Sequence, residues 1–183
     1  MLYEFKELAR ELPKKRRELC YYIAGLTDGE GCFSVSIKKQ NHTRFGYVID
    51  PVFHIVQGEK GRKILEVIKE VLKAGRVEKK HGQDEWQFIV DNRRQLKEKV
   101  IPFFNKYKLI IKREEFQRFA EIVEMLERKE HWKKEGFIKI LKLAYKTTKQ
   151  GRKRTLREVL ASLKERESSE AIRRGPSRKG ENP

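Results

Sequence analysis

The segment Tyr21–Gly31, YYIAGLTDGEG, restricts the chain more than any other stretch, because two unlike helical stripes run through it. Leu19, Tyr22, Ile23 and Leu26 recur at helical spacing and predict a core face. Tyr21, Ala24, Gly25 and Asp28 recur at i, i+3, i+4 and i+7, with side chains that shrink along the stripe. Glycine costs a helix about 1 kcal/mol relative to alanine. A second backbone crossing closely over Ala24 and Gly25 explains why that cost is accepted.

The end of the segment is chemically unusual. Gly29 and Gly31 suit a helix terminus that needs positive φ. Asp28 and Glu30 lie there too, at the negative end of the helix dipole, where acids are unfavourable. Carboxylates beside free carbonyl oxygens form the ligand type of hard divalent cations. A solvated turn rich in glycine and acid accounts for the same residues equally well.

The chain has 183 residues, enough for one domain with its own core. Lysine and arginine number 44 against 27 acids, a formal net charge of +17, which implies a polyanion-binding surface. Nucleic acid is the expected polyanion and a membrane is not, since no apolar run approaches a membrane span and no signal-peptide pattern opens the chain. Cys20 and Cys32 lack metal-site spacing and are read as reduced thiols of an intracellular protein. The expected location is the cytoplasm of a prokaryote, or an organelle. Abundant Lys and Glu with few Cys and Met hint at a thermophilic source.

Residues 2–12 predict a short amphipathic helix that Pro13 breaks before a basic run at Lys14–Arg17. After the motif the period changes from helical to alternating. Phe33, Val35 and Ile37 oppose Cys32, Ser34, Ser36 and Lys38, and the loop Lys39–Thr43 turns the chain. Phe45, Tyr47, Ile49, Pro51, Phe53 and Ile55 then oppose Gly46, Val48, Asp50, Val52, His54 and Val56. This is a hairpin with one apolar and one hydrogen-bonding face, a ribbon that fits a DNA major groove as well as it fits a sheet with one wet side. A helix over 62–73 and a second hairpin around His81–Asp84 repeat the arrangement. Asp91 or Asn92 caps a helix running to Pro102-Phe103-Phe104. Further helices are expected over Lys112–Glu130, 133–146 and, capped by Thr155, Leu156–Leu163. One domain spans 1–166, and residues 167–183, rich in Ser, Gly, Pro and charge, are expected to be a disordered basic tail.

Ile23-Ala24-Gly25-Leu26-Thr27-Asp28-Gly29-Glu30-Gly31 resembles the motif of the LAGLIDADG homing endonucleases, with seven of nine positions identical or conservative. Phe53-His54-Ile55-Val56-Gln57, Pro102-Phe103-Phe104 and the basic loop before the Thr155-capped helix extend the resemblance over about residues 18–166. It is strongest to the single-motif members encoded in group I introns. The resemblance implies an α+β fold, αββαββα, with an antiparallel saddle-shaped sheet and extra C-terminal helices. A single motif implies a homodimer whose motif helices cross through Tyr21, Ala24, Gly25 and Asp28.

The implied activity is site-specific double-strand cleavage of a long pseudo-palindromic duplex, with a stagger, by Mg²⁺-dependent phosphodiester hydrolysis, Ca²⁺ or Mn²⁺ being in vitro substitutes. Glu30 and the Gly29 carbonyl are the implied metal ligands, Gln57 the residue that orients water, and Lys112, or else Lys108, the basic group at the phosphate. The family's other basic position falls near Gly61, leaving Arg62 or Lys60 to replace it. Base reading is assigned to Ser34, Ser36, Lys38, Gln40, Arg44, Val48, Asp50 and His54 of the first hairpin, and to Glu78, Lys80, Glu85 and Gln87 of the second. Lys149, Arg152, Lys153 and Arg154 are assigned to backbone phosphates. Two other readings stay open: a maturase that binds intron RNA, and a DNA-binding regulator that reuses the fold without chemistry.

Overall fold

A computed structural model describes residues 12–147 and 154–174. The helix expected over 2–12 therefore lies almost wholly outside the described residues. Helix α1 (Arg16–Glu30) runs without a break into strand β1 (Gly31–Lys39). Strand β2 (Tyr47–Gly58) returns antiparallel to it. A 3₁₀ turn at Glu59–Gly61 leads to α2 (Arg62–Leu72), then β3 (Arg76–Lys79) and β4 (Glu85–Val90) complete one four-stranded sheet in the order β1-β2-β4-β3. The helical run α3 (93–106), α4 (Arg113–Glu127), α5 (Lys134–Thr147) and α6 (Leu156–Arg174) follow. This is the expected order of helix, two strands, helix, two strands, helices.

Strict alternation along β1 and β2 sends Phe33, Val35, Tyr47, Ile49, Phe53 and Ile55 to one face, where all are buried. Phe33 stacks on Phe53 at 4.9 Å and meets Phe104, Phe116 and Phe119 from the helical layer within 5.5 Å. Helices cover this face and leave the other open. Pro51, which cannot donate to a ladder, lies where β2 runs past the end of β4, whose pairing begins at Phe53.

Local chemistry explains the element ends. Asn92 Oδ1 accepts the Gln95 N–H at 3.1 Å, so Asn92 and not Asp91 is the cap. A π turn at Leu96–Val100 precedes Pro102, whose ring and missing N–H disturb regular α-helix. At the start of α6, Thr155 and Glu158 bond reciprocally, with the Glu158 N–H on Thr155 Oγ1 and the Thr155 N–H on Glu158 Oε2. That backbone N–H holds the Glu158 carboxyl below its ordinary range. Helix α6 continues to Arg174, well past the expected Leu163. Residues 175–183 of the expected tail lie outside the described residues.

Candidate active site at the end of helix α1

Helix α1 is rotated by about one residue from the phase expected. Its buried residues are Cys20, Ile23, Ala24 and Thr27. Ala24, assigned to a crossing interface, is 3% exposed inside the chain's own core. Tyr22, assigned to the core, is 46% exposed. Tyr22, Gly25 and Gly29 are left exposed, at i, i+3 and i+7, while Leu26 between them is half-buried against the core. The sheet accepted the small Ala24 and Thr27 because α1 passes directly into β1 and must lie close over it. Thr27 is fully buried, and its hydroxyl donates to the Ile23 carbonyl at 2.8 Å.

The glycines have different reasons from those expected. Neither Gly29 nor Gly31 has positive φ. Gly31 is extended, with φ −77° and ψ 154°. A Cβ there would lie 2.5 Å from Thr27 Cγ2 and 2.7 Å from its carbonyl oxygen, so crowding excludes a side chain. At Gly25 and Gly29 a Cβ would meet nothing within 4 Å. Nothing among the described residues accounts for those two.

Asp28 is a clamp inside the chain and not part of an outward stripe. Its carboxylate accepts the backbone N–H of Ile110 at 2.7 Å and of Lys112 at 3.0 Å. The segment before α4 is thereby tied to the last turn of α1, and a negative charge is placed at the N-terminus of α4, where the dipole favours it. The Lys112 ammonium donates to the carbonyls of Asp28 and, at 3.0 Å, Gly29. Asp28→Ala should remove about 2 kcal/mol of stability, from two charge-assisted bonds. Thermal denaturation checks this, and an unchanged midpoint would exclude the clamp.

Glu30, the last residue of α1, is exposed. Gly31 pairs with Ile55, so the end of α1 lies at the end of the β1–β2 ladder that also carries Gln57, two residues after Ile55. Lys112 lies at the Gly29 carbonyl, one residue before Glu30, and Gln57 belongs to the same end of the sheet. Lys108 lies exposed in the preceding loop and has no such placement. The Lys112 ammonium acts as a stand-in cation: it shows that the carbonyls ending α1 turn outward and accept positive charge. A carbonyl oxygen has two lone pairs, so Gly29 can serve a second cation. No group of three His, Cys, Asp or Glu side chains able to hold a metal occurs among the described residues. A carboxylate and a backbone carbonyl, as at Glu30 and Gly29, are oxygen donors of the type that divalent cations take.

The open face of the sheet carries most of the residues assigned to base reading. Ser34, Ser36 and Lys38 face Val52, Asp50 and Val48, and His54 and Gln87 continue the face toward Glu78, Lys80 and Glu85. Gln40 sits at the hairpin end, where its N–H closes the loop onto Gly46. Arg44 departs from this face. Its guanidinium donates to the Trp132 carbonyl at 2.8 Å and lies over Phe45, which turns it to the helical layer. Arg76, left out of the assignment although it alternates with Glu78, lies opposite Ile89 on the same face. It donates to Glu78 at 2.8 Å and to both oxygens of Asp91, which raise its pKa, the Glu78 bond first. The Lys38–Asp50 and Lys80–Glu85 pairs also tie acids to bases here. Lys149, Arg152 and Lys153 lie outside the described residues. Arg154 donates to the Tyr47 hydroxyl at 3.2 Å, which anchors the start of α6 to β2.

His54 is half-buried on this face, and desolvation, then the nearby Lys80, lowers its pKa below 6.5. The unfolded chain then binds more protons than the folded one below about pH 6.5. The stability contribution is full above that pH and is lost as pH falls through the lower folded value. His54→Gln should flatten the stability profile in that acid window, as read by denaturation at several pH values. An unchanged slope would exclude His54 as its source.

A family profile described as LAGLIDADG endonuclease matches residues 23–123, from α1 into α4. DNA endonuclease I-CeuI of Chlamydomonas moewusii is 37% identical over 108 residues, covering 58% of this chain and 50% of that protein. Homing endonuclease I-ApeII of Aeropyrum pernix is 36% identical over 146 residues, covering 76% of this chain and 86% of that one. The chain thus spans half the length of the first relative and most of the second. Among solved structures, the archaeal intron-encoded homing endonuclease I-Vdi141I complexed with DNA superposes with a TM-score of 0.79 at 40% identity, over 84% of this chain and 99% of that one. No helix among the described residues is long and apolar enough to cross a membrane.

Proposed function

The chain belongs to the LAGLIDADG endonuclease family, and from that membership and the site geometry we propose that it is a homodimeric homing endonuclease that cuts both strands of a pseudo-palindromic DNA site, leaving a stagger. What supports the reading is Lys112 on the Gly29 carbonyl beside Glu30, at the end of the sheet that also carries Gln57, with Tyr22, Gly25 and Gly29 exposed along the same helix. A two-fold crossing of α1 helices through Gly25 and Gly29 brings both Glu30 carboxylates toward the dyad. Two carboxylates so placed repel each other unless cations lie between them.

Glu30 and the Gly29 carbonyl are the ligands this chain offers to Mg²⁺. Bound there, the ion would supply Lewis-acid polarisation of the scissile phosphate and a lowered pKa for water. The Lys112 ammonium, steered by Asp28, brings fixed positive charge beside the same oxygens, where it stabilises charge that develops on the phosphate. The Gln57 carboxamide offers a donor and an acceptor that orient water for attack. The open face of the sheet lies in the major groove, and its polar side chains read base edges.

The test is a cleavage assay with Mg²⁺ on duplex DNA spanning the intron-free insertion junction of the host gene. Staggered cutting of both strands is expected. Tight binding to intron RNA with no cutting would overturn the nuclease reading in favour of a maturase.

A further inference from the structure

We infer that Gly61 is a positioning residue that sets the Gln57 carboxamide by leaving its own Cβ position empty; this rests on the proposed role of Gln57. A Cβ built at Gly61 would lie 2.7 Å from Gln57 Cβ, 2.7 Å from its Oε1 and 3.0 Å from its Cγ. Contacts that short require something to move, and Gln57 Cβ is fixed to the backbone of β2, so rotating the far end of the side chain does not relieve them.

The turn cannot retreat instead. Trp86 pairs with Gln57 across the sheet and clamps both ends of the turn. Its indole N–H donates to Glu59, the first residue of the turn. Its ring lies 3.9 Å below the guanidinium of Arg62, the residue after the turn. Among the described residues the Gln57 carboxamide has no hydrogen-bond partner, so packing alone sets its direction and its polar atoms remain open to solvent.

Backbone conformation does not explain the glycine. Gly61 has φ −89° and ψ −3°, which any L residue adopts. Alanine there is expected to fold, with the strain passed to Gln57.

The test compares Gly61→Ala, Gln57→Ala and the double variant in the full-length protein, using single-turnover cleavage, affinity for the DNA site, melting and the Gln57 side-chain amide resonance. Gly61→Ala is expected to cleave about a hundredfold more slowly, as for an ångström-scale misplacement. Affinity should be unchanged, melting should fall because the Cβ–Cβ approach is relieved only by a small backbone shift, and the Gln57 amide resonance should shift. The double variant is expected to cleave no more slowly than Gln57→Ala alone, because Gly61 acts through that side chain. Normal cleavage by Gly61→Ala beside slow cleavage by Gln57→Ala would overturn the inference alone. A double variant slower than Gln57→Ala by the full Gly61→Ala factor would overturn it too. Normal cleavage by Gln57→Ala would remove the role proposed for Gln57, and the inference with it.

Discussion

Glu30→Gln should abolish cleavage, by at least about a thousandfold or roughly 4 kcal/mol of transition-state stabilisation, while specific DNA binding survives. The side chain is exposed at the last position of α1, so the isosteric amide disturbs no packing. It removes the carboxylate proposed as a metal ligand beside the Gly29 carbonyl. Recognition should persist because the base-reading residues sit on the open face of the sheet, separate from the end of α1. A second effect has the opposite sense. Without divalent ions, the variant dimer should be no weaker than the native one, since two facing carboxylates no longer repel. Cleavage with Mg²⁺ and sedimentation with a chelator read the two effects. Cutting at the native rate would remove Glu30 from the site. A weaker dimer would remove it from the dyad.

Gly25→Leu should convert the dimer to a folded monomer and abolish double-strand cleavage. An added Cβ meets nothing within 4 Å in the isolated chain, so the monomer has room for the side chain. Replacing glycine by leucine within a helix should raise monomer stability by up to about 1 kcal/mol. A helix crossing close enough to use Gly25 and Gly29 has no such room. Sedimentation equilibrium together with thermal denaturation separates the cases. An intact dimer would sink the crossing. A destabilised monomer would mean that Gly25 serves packing within the chain.

Both variants depend on the phase of α1, which is where the sequence misled. Ile23 is common to the expected and the observed core faces, but Leu26 and Tyr22 outweigh Ala24 and Thr27 in hydrophobicity. Periodicity alone therefore favours the bulkier stripe. Close approach of α1 to its own sheet selects the smaller residues instead, leaving Tyr22 exposed and Leu26 half-buried. The strands raised no such ambiguity, because a period of two admits only two faces and the large apolar residues, Phe33, Phe53 and Phe88 among them, share one.

Within the candidate site, Glu30, Gln57 and Lys112 were legible as residue types in a family pattern. Their support was not. Asp28 reaches backbone amides 82 and 84 residues away, and the space that Gly61 leaves beside Gln57 is visible only once the turn is folded against β2. Arg44 looked like a groove residue by position in the hairpin, yet a carbonyl 88 residues later holds it to the helical layer.

The sequence by itself determined the element order, the buried side of each strand, the cap at Thr155, and an acid at the end of a glycine-bearing helix. These follow from backbone periodicity and from hydrogen bonds spanning a few residues. Only the tertiary structure decided how α1 is rotated, that Asp28 clamps where an interface was expected, and that Lys112 caps the helix carbonyls. Each of these depends on which distant segment lies within a few ångströms, and that distance is set by how the helices close over the sheet rather than by any local run of residues.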